Sequence, residues 1–367
     1  MIRVLQVVTH MNRGGLETML MNYYRHIDRT QVQFDFLVHR QKRAAYDDEI
    51  ESLGGNIYCL PNLNPFSKRY LKALDEFMKN HKEYHVIHSH LDCMAGIPLK
   101  YAKKQGIPVR IAHAHNNNQP KDNKYLLKLW YKRNIFRYAT ELFACSKEAG
   151  NWMFNGKKFS VLNNAIASEQ YKYDALTRKT IRTELRITDD NLVVGHVGRF
   201  CVQKNHIFIL KVFNELLEYR KNAKLLLIGD GELRSETENQ AIKLGIRDSI
   251  IFTGVKENVH ELMQAMDVFL FPSLFEGLGI VAIEAQAAGI PCFISDKVPL
   301  ECKKTDLVTQ LSLEESPKVW AKELLNVRVE ERQDAAEVIK RAGYDIVENA
   351  RKLEKFYIDA HYGRSKQ

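Results

Sequence analysis

The stretch VFLFPSLFEGLGIVAIEAQAAGIP, residues 268–291, decides the fold. Its first four residues, Val268 to Phe271, read as a buried strand; a turn bearing Gly277 and Gly279 follows, and then a helix carrying Glu284. Strand, glycine turn and helix in that order belong to a βαβ unit, and an unbroken apolar run marks a strand covered on both faces, as in parallel sheets. At the C-terminal end of such a strand, glycines allow close approach to the backbone, and the first N–H groups of the helix form a site for phosphate or another anion. The turn and the helix each carry an acid, Glu276 and Glu284, eight residues apart. That spacing alone is common; its place on a strand–turn–helix gives it weight.

Upstream, VVGHVGRFCVQKN (193–205) is a strand ending in glycine that delivers Arg199 and Lys204 into a loop. A guanidinium fork and an ammonium point charge suit a diphosphate and would stabilise it as a leaving group, although strand-end cations are often merely solvated. Gly229-Asp230-Gly231-Glu232, after the strand Leu225–Ile228, reads as plain turn chemistry.

The same alternation of short β-branched runs and helical patterns fills the rest of the chain. Strands are predicted at 3–9, 33–38, 56–60, 86–88, 109–112, 141–144 and 159–162, and again at 193–197, 224–228, 250–252, 268–271 and 291–294. With 367 residues and roughly 150 per domain, two doubly wound α/β domains are expected. The polar stretch 167–190 is the candidate hinge. The tail 334–360 reads as helix, interrupted near Gly343, with Leu353, Phe356 and Tyr357 on an apolar stripe. In the first half, Gly14 and Gly15 follow strand one and open a helix. The pairs His88/His90 and His113/His115 lie at strand ends, where ligand-binding loops emerge. Residues i and i+2 are expected to split, one into the sheet packing and one to solvent. Each pair also resembles a metal-binding His-x-His, but no third ligand is placed by spacing.

Composition, 45% hydrophobic and 27% charged, is that of a packed protein, and no apolar run approaches the ~18 residues of a membrane span. The strand beginning at Arg3 is preceded by no apolar leader, which predicts a cytoplasmic protein. Six cysteines without a C-x-x-C pair predict reduced thiols, with neither a disulfide framework nor structural zinc. The charge is uneven: 26 Lys and Arg against 15 Asp and Glu through residue 172, net +11, then 28 against 30, net −2. A basic half suggests a polyanionic partner, nucleic acid or an anionic membrane surface, and no nucleic-acid-binding signature accompanies it. Residues 121–137 mix Leu126, Leu127, Leu129, Trp130, Ile135 and Phe136 with six basic residues, as an interfacial helix does, or a helix packed by its apolar face.

Taken together the motifs resemble those of the retaining GT-B glycosyltransferases of family 4, over essentially the whole chain. Glu276 and Glu284 match the family's E-x7-E motif with its E-G-x-G and A-x-G-x-P surroundings; Arg199 and Lys204 match its diphosphate clamp; Gly14 and Gly15 match its N-terminal glycine loop. The I-H-S-H and R-I-A-H-A-H-N segments at 87–90 and 110–116 resemble bacterial exopolysaccharide and capsule transferases. The resemblance implies two Rossmann-like domains facing a cleft, 1–170 on the acceptor side, completed by about 345–367, and 171–344 binding the nucleotide sugar, with the terminal helix crossing back. It implies that Glu284 bonds the ribose, that Glu276 contacts donor-sugar hydroxyls, and that Arg199, Lys204 and the backbone of Gly277, Leu278, Gly279 and Ile280 hold the diphosphate. His115, with His113 as alternative, would stand beside the donor sugar. No cofactor and no metal are implied, since protein cations take the metal's place. The partners are then a nucleotide-sugar donor, UDP by default, a glycan or lipid-linked acceptor, and an anionic membrane touched peripherally, with no nucleic acid. A sugar-nucleotide epimerase or phosphorylase on the same fold, or a non-catalytic sugar-nucleotide-binding protein, is the alternative.

Overall fold

The computed structural model describes residues 1–118, 125–327, 332 and 334–364. The chain divides into two units, Met1–Ala165 with Ile346–Gln367, and Ile166–Asp345. In the first, strands β1 (Ile2–Val7), β2 (Val32–Val38), β3 (Ile57–Cys59), β4 (Val86–Ser89), β5 (Val109–Ala114), β6 (Glu141–Ala144) and β7 (Ser160–Val161) form a parallel sheet in the order β3-β2-β1-β4-β5-β6-β7. In the second, β8 (Val193–Val197), β9 (Lys224–Ile228), β10 (Ile250–Gly254), β11 (Val268–Phe271), β12 (Cys292–Ser295) and β13 (Val308–Leu311) pair in the order β10-β9-β8-β11-β12-β13, again all parallel. Each sheet changes winding direction once, between β1 and β4 and between β8 and β11. The loops leaving the C-terminal ends of those strands diverge, so each unit has a crevice there, where open α/β sheets bind ligands.

The apolar runs of β8, β9 and β11 are buried because helices cover both sheet faces. Val194, Leu225, Leu227, Val268 and Leu270 pack in one cluster with Ile209, Leu210 and Phe213 of the helix His206–Leu217 and with Trp320. Trp320 satisfies its indole N–H on the Ser312 carbonyl at 3.0 Å, so the largest side chain of this core leaves no donor unpaired. β13 was not expected from sequence. Its four residues alternate little in polarity, and only Val308 is buried, as befits a strand at the sheet edge.

The stretch 167–190 belongs to the second unit and is not a linker. Its helix Ala175–Glu184 is tied to the sheet by Arg178, whose Nη2 donates to Asp267 Oδ1 at 2.6 Å, and by the buried Arg182 beside the same carboxylate. The chain passes between units at 165/166 and returns at 345/346. On the return, Gly343 takes a left-handed φ of 86° that breaks the helical run, and the helix Ile346–Arg364 packs on the first unit. Ile346, Ala350, Leu353 and Tyr357 are its buried face, with the Tyr357 ring edge-on to Phe34 at 5.9 Å. The six cysteines are free thiols, and among the described residues no helix is long and apolar enough to cross a membrane.

Candidate active site

In the second unit the loops after β8 and β11 are laced together. Gln203 Nε2 donates to the Phe275 carbonyl at 2.9 Å, Leu274 N donates to the Gln203 carbonyl at 2.8 Å, and Asn205 Nδ2 donates to the Pro272 carbonyl at 3.2 Å. This lacing sets Lys204 over the Phe271 ring, 4.7 Å from its centroid, with Nζ 2.6 Å from Glu276 Oε1. Both partners are largely buried, so the ion pair is strong enough to hold its place yet costly to leave half made. The helix Ile280–Ala287 starts from Gly279, at φ 84°, where a side chain would be strained and its Cβ would sit 3.1 Å from the Phe271 ring. No side chain caps this helix, so its opening turn is a place for an anion. Glu284, one turn further on, is buried. Loss of water raises its carboxyl to about 7, against the opposing pull of a Tyr171 hydrogen bond and the Lys204 charge.

Arg199 stands apart from this group. Its guanidinium is mostly exposed and donates from Nη2 to Glu232 Oε2 at 3.0 Å. The turn 229–232 lies under the Arg199 loop: Phe200 N donates to the Asp230 carbonyl at 3.0 Å, and a Cβ at Gly229, whose φ is 134°, would run into the Gly198 carbonyl. His206 stacks on Phe200 at 4.0 Å, and burial first, then Lys204, lowers its pKa to about 3.

At the switch point of the first unit the buried polar groups are chiefly imidazoles. His88 and His90, from β4 and just past it, and His113 and His115, from β5 and just past it, make one imidazole cluster. His88 Nε2 lies 3.1 Å from His113 Nδ1, and His90 Nδ1 lies 2.9 Å from His115 Nε2. His88 Nδ1 is 2.7 Å from the Tyr357 hydroxyl of the terminal helix, and His90 Nε2 is 2.8 Å from Gln6 Oε1 on β1. Gln6 Nε2 closes the set on the Tyr357 hydroxyl at 3.3 Å. Burial holds all four imidazoles well below the ordinary histidine pKa, His115 at about 3, so they are neutral. Asp92, at a left-handed φ of 45°, accepts from the His115 amide at 2.9 Å and from Asn116 Nδ2 at 2.8 Å, fixing the loop past β5. His88, His90 and His113 offer nitrogens within 4.8 Å of one another, the spacing a metal ion needs. Both ring nitrogens of His88 and of His90 are already engaged, so a cation would have to displace hydrogen bonds to enter.

Two family models match the chain: "Glycosyltransferase Family 4" over residues 13–170 and "Glycosyl transferases group 1" over residues 177–342. EpsF of Bacillus subtilis (strain 168), named as a glycosyltransferase, is 37% identical over 97% of this chain and 96% of its own length. The chain belongs to the group 1, family 4 glycosyltransferases. CapH of Staphylococcus aureus, named as a glycosyltransferase of capsular polysaccharide biosynthesis, is 26% identical over 88% of this chain and 89% of its own. The crystal structure of Anabaena Alr3699/HepE in complex with UDP and glucose superposes with a TM-score of 0.79 over 97% of this chain and 99% of that one, at 17% identity. The two-sheet fold of the glycosyltransferase is therefore that of the resemblance.

Of the residues singled out from sequence, the fold brings Lys204, Glu276, Glu284 and the backbone of Gly277, Leu278, Gly279 and Ile280 to one switch point. Arg199 shares the loop but is turned onto Glu232. Gly14 and Gly15 follow β1, and Gly15 begins the helix Gly15–His26. The expectation that each His-x-His pair would split is overturned: the rings of His88 and His90 stack at 4.2 Å, and those of His113 and His115 lie 4.1 Å apart. The reason is that residues two apart on an extended chain point to the same side of the sheet, and this direction carries through to His90 and His115, one residue past the ends of β4 and β5. Sequence reading passed over Gln6, Asp92 and Tyr171, and it gave Glu232 only a turn and Tyr357 only an apolar stripe. A polar Gln6 inside the apolar run of β1 was the one signal available.

Proposed function

We propose that this glycosyltransferase moves a sugar, with retention at the anomeric carbon and without a metal, from a UDP-sugar to a glycan or lipid-linked acceptor in polysaccharide assembly. The observation that carries the reading is the switch point of the second unit, where Lys204, an uncapped helix opening and a buried acid one turn on converge. UDP in the Anabaena structure and the polysaccharide role in the CapH name support the donor and the pathway class.

On this reading Lys204, Arg199 and the amides of residues 278–280 take the diphosphate, and its arrival draws Arg199 from Glu232. Glu284, its carboxyl raised by burial to about 7, accepts from ribose hydroxyls and, when protonated, also donates to them. Glu276 meets the donor-sugar hydroxyls, and neutral His115 offers hydrogen bonding without charge. The acceptor oxygen bonds to the anomeric carbon on the face from which the nucleotide leaves. The carbon–oxygen bond to the diphosphate breaks with its electron pair on UDP, and a diphosphate oxygen takes the acceptor proton. Arg199→Ala is expected to lower kcat by about two to three orders of magnitude, since loss of a donor to the developing charge costs about 2.7–4 kcal/mol; a kcat within a factor of two of wild type would refute the clamp. Product analysis with labelled donor separates transfer from epimerisation, phosphorolysis and mere binding, and unchanged turnover in EDTA checks metal independence.

The acceptor side of the reading includes peripheral contact with an anionic membrane. The helix Tyr125–Asn134 buries none of its residues, and Leu126 and Trp130, four apart on one face, are 78% and 58% exposed. Lys121 and Lys124 of the same segment lie outside the described residues. Co-sedimentation with phosphatidylglycerol vesicles is expected to exceed that with phosphatidylcholine, and Trp130→Ser to reduce it; insensitivity to anionic lipid content would remove the membrane contact.

A further inference from the structure

The histidine cluster has a direction. Gln6 places its amide oxygen on His90 and its NH2 on the Tyr357 hydroxyl, and each contact dictates the next. An amide oxygen only accepts, so His90 Nε2 carries the proton and neutral His90 accepts at Nδ1. His115 must then donate to it from Nε2, which leaves His115 Nδ1 as a bare lone pair. On the other arm the Tyr357 hydroxyl accepts from Gln6, and its own proton has His88 Nδ1 as its acceptor; His88 therefore donates from Nε2 to His113 Nδ1, and His113 keeps its proton on Nε2. Among the eight ring nitrogens of the four histidines, the two left without a partner are His113 Nε2 and His115 Nδ1, both buried. Buried polar atoms without a protein partner call for one from outside, a ligand group or a bound water.

We infer that Gln6 and Tyr357 are positioning residues: by two hydrogen-bond chains they hold all four histidines in the Nε2–H form and so present His113 Nε2–H and His115 Nδ1 as a matched donor and acceptor for a sugar hydroxyl. A hydroxyl both gives and accepts a hydrogen bond, so it can use both atoms, whereas a carboxylate or phosphate oxygen can use only the donor. Gln6 lies on β1, the terminal helix supplies Tyr357, and the histidines follow β4 and β5. The pairing therefore exists only when the end of the chain is docked on the first unit. The inference rests on the reading that puts His115 beside the donor sugar, and it names what selects the sugar there: a neutral, oriented hydroxyl contact whose polarity is set two residues away from the ligand.

The test is a long-range proton–nitrogen correlation spectrum of the full chain labelled with 15N-histidine at neutral pH, assigned by single substitutions. His88, His90, His113 and His115 are expected in the Nε2–H form. Tyr357→Phe is expected to let His88 and His113 sample both tautomers while His90 and His115 stay fixed by Gln6, and Gln6→Met to release His90 and His115. In turnover with UDP-sugar, Tyr357→Phe is expected to lower kcat about fivefold, the worth of one oriented hydrogen bond, with KM for the donor within about twofold. The Nδ1–H form at His113 or His115 in the wild-type chain overturns the relay, as does stoichiometric binding of zinc alone with loss of the Nε2–H signals. If Tyr357→Phe is poorly folded, the wild-type spectrum and Gln6→Met still decide. The two levels fail separately: wrong tautomers with intact transfer sink the relay and spare the transferase, whereas the stated tautomers with no transfer from any nucleotide sugar do the reverse.

Discussion

The two switch points of this glycosyltransferase are built from opposite materials. The second unit uses ions: Lys204 against Glu276 at 2.6 Å, Arg199 against Glu232 at 3.0 Å, and a buried Glu284. The first uses neutral rings, four imidazoles tied by one glutamine and one tyrosine. A diphosphate carries charge that must be matched and released, and fixed cations do that. A hydroxyl carries only direction, and an oriented imidazole recognises it without the desolvation cost of an ion. On the proposed reading one topology yields a charge-reading edge and a direction-reading edge, the difference lying in the side chains at the ends of the same strands, in the loops that follow them and, in the first unit, in the terminal helix.

The comparison predicts that the ionic edge fails hardest. Lys204→Met removes the proposed diphosphate ligand and also strands Glu276 in a largely buried place. Donor turnover is expected to fall by ~10²–10³, and stability by about 3 kcal/mol or more. Adding Glu276→Gln is expected to restore most of the stability and none of the turnover, measured by urea unfolding and steady-state kinetics. Equal recovery of both would mean that the pair serves the fold alone.

Acid and base should act on the two edges with opposite sign. Glu284 has a folded pKa of about 7, above its ordinary carboxyl value, so its neutral form is favoured by folding. That contribution is complete below about pH 4.5 and is lost as pH rises through about 7. Relative to Glu284→Gln, the wild type is expected to lose at most about 3 kcal/mol across that window. The buried imidazoles have folded values pushed down, so the unfolded chain takes up protons first, and the stability they confer is present above about 6.5 and lost as pH falls. His196 and His206 give the second unit an acid limb as well, which is why the substitution at Glu284, not the raw pH profile, isolates the difference. Thermal melts of both chains between pH 5 and 8 that stay parallel would show that Glu284 is not buried as an acid.

How much of this was readable beforehand follows the same division. The ionic edge was legible because its chemistry is local: Arg199 to Asn205 and Glu276 to Glu284 are contiguous segments at strand ends, and strand, glycine and helix announce themselves by period and composition. β11 and β8 fall where their apolar runs do, while the short β13 left no such trace. The neutral edge was half legible. The four histidines stood out, and the resemblance had the last helix crossing back to the first domain, but Gln6 and Tyr357, which bond His90 and His88, are separated by 351 residues, and nothing in a single sequence pairs them. Glu232 was taken for turn chemistry, and it does sit on a turn. Its pairing with Arg199 depends on Gly229 lying against the Gly198 carbonyl, a contact between loops of adjacent strands.

The smallest expected effect concerns that pairing. In this structure Glu232 occupies the guanidinium that the diphosphate would claim, so donor binding must break one hydrogen-bonded ion pair before it makes another. The pair is exposed, 72% and 53%, and screened by solvent, so its worth is roughly 0.2–1 kcal/mol. Glu232→Gln is therefore expected to lower the donor KM no more than about fivefold, to leave kcat unchanged, and to lose its advantage at high salt, where screening already weakens the wild-type pair. Stability should stay within about 0.5 kcal/mol, as for other surface changes. A KM that rises instead would mean that Glu232 itself touches the donor, and the charge-reading edge would then extend one strand further, to the loop after β9.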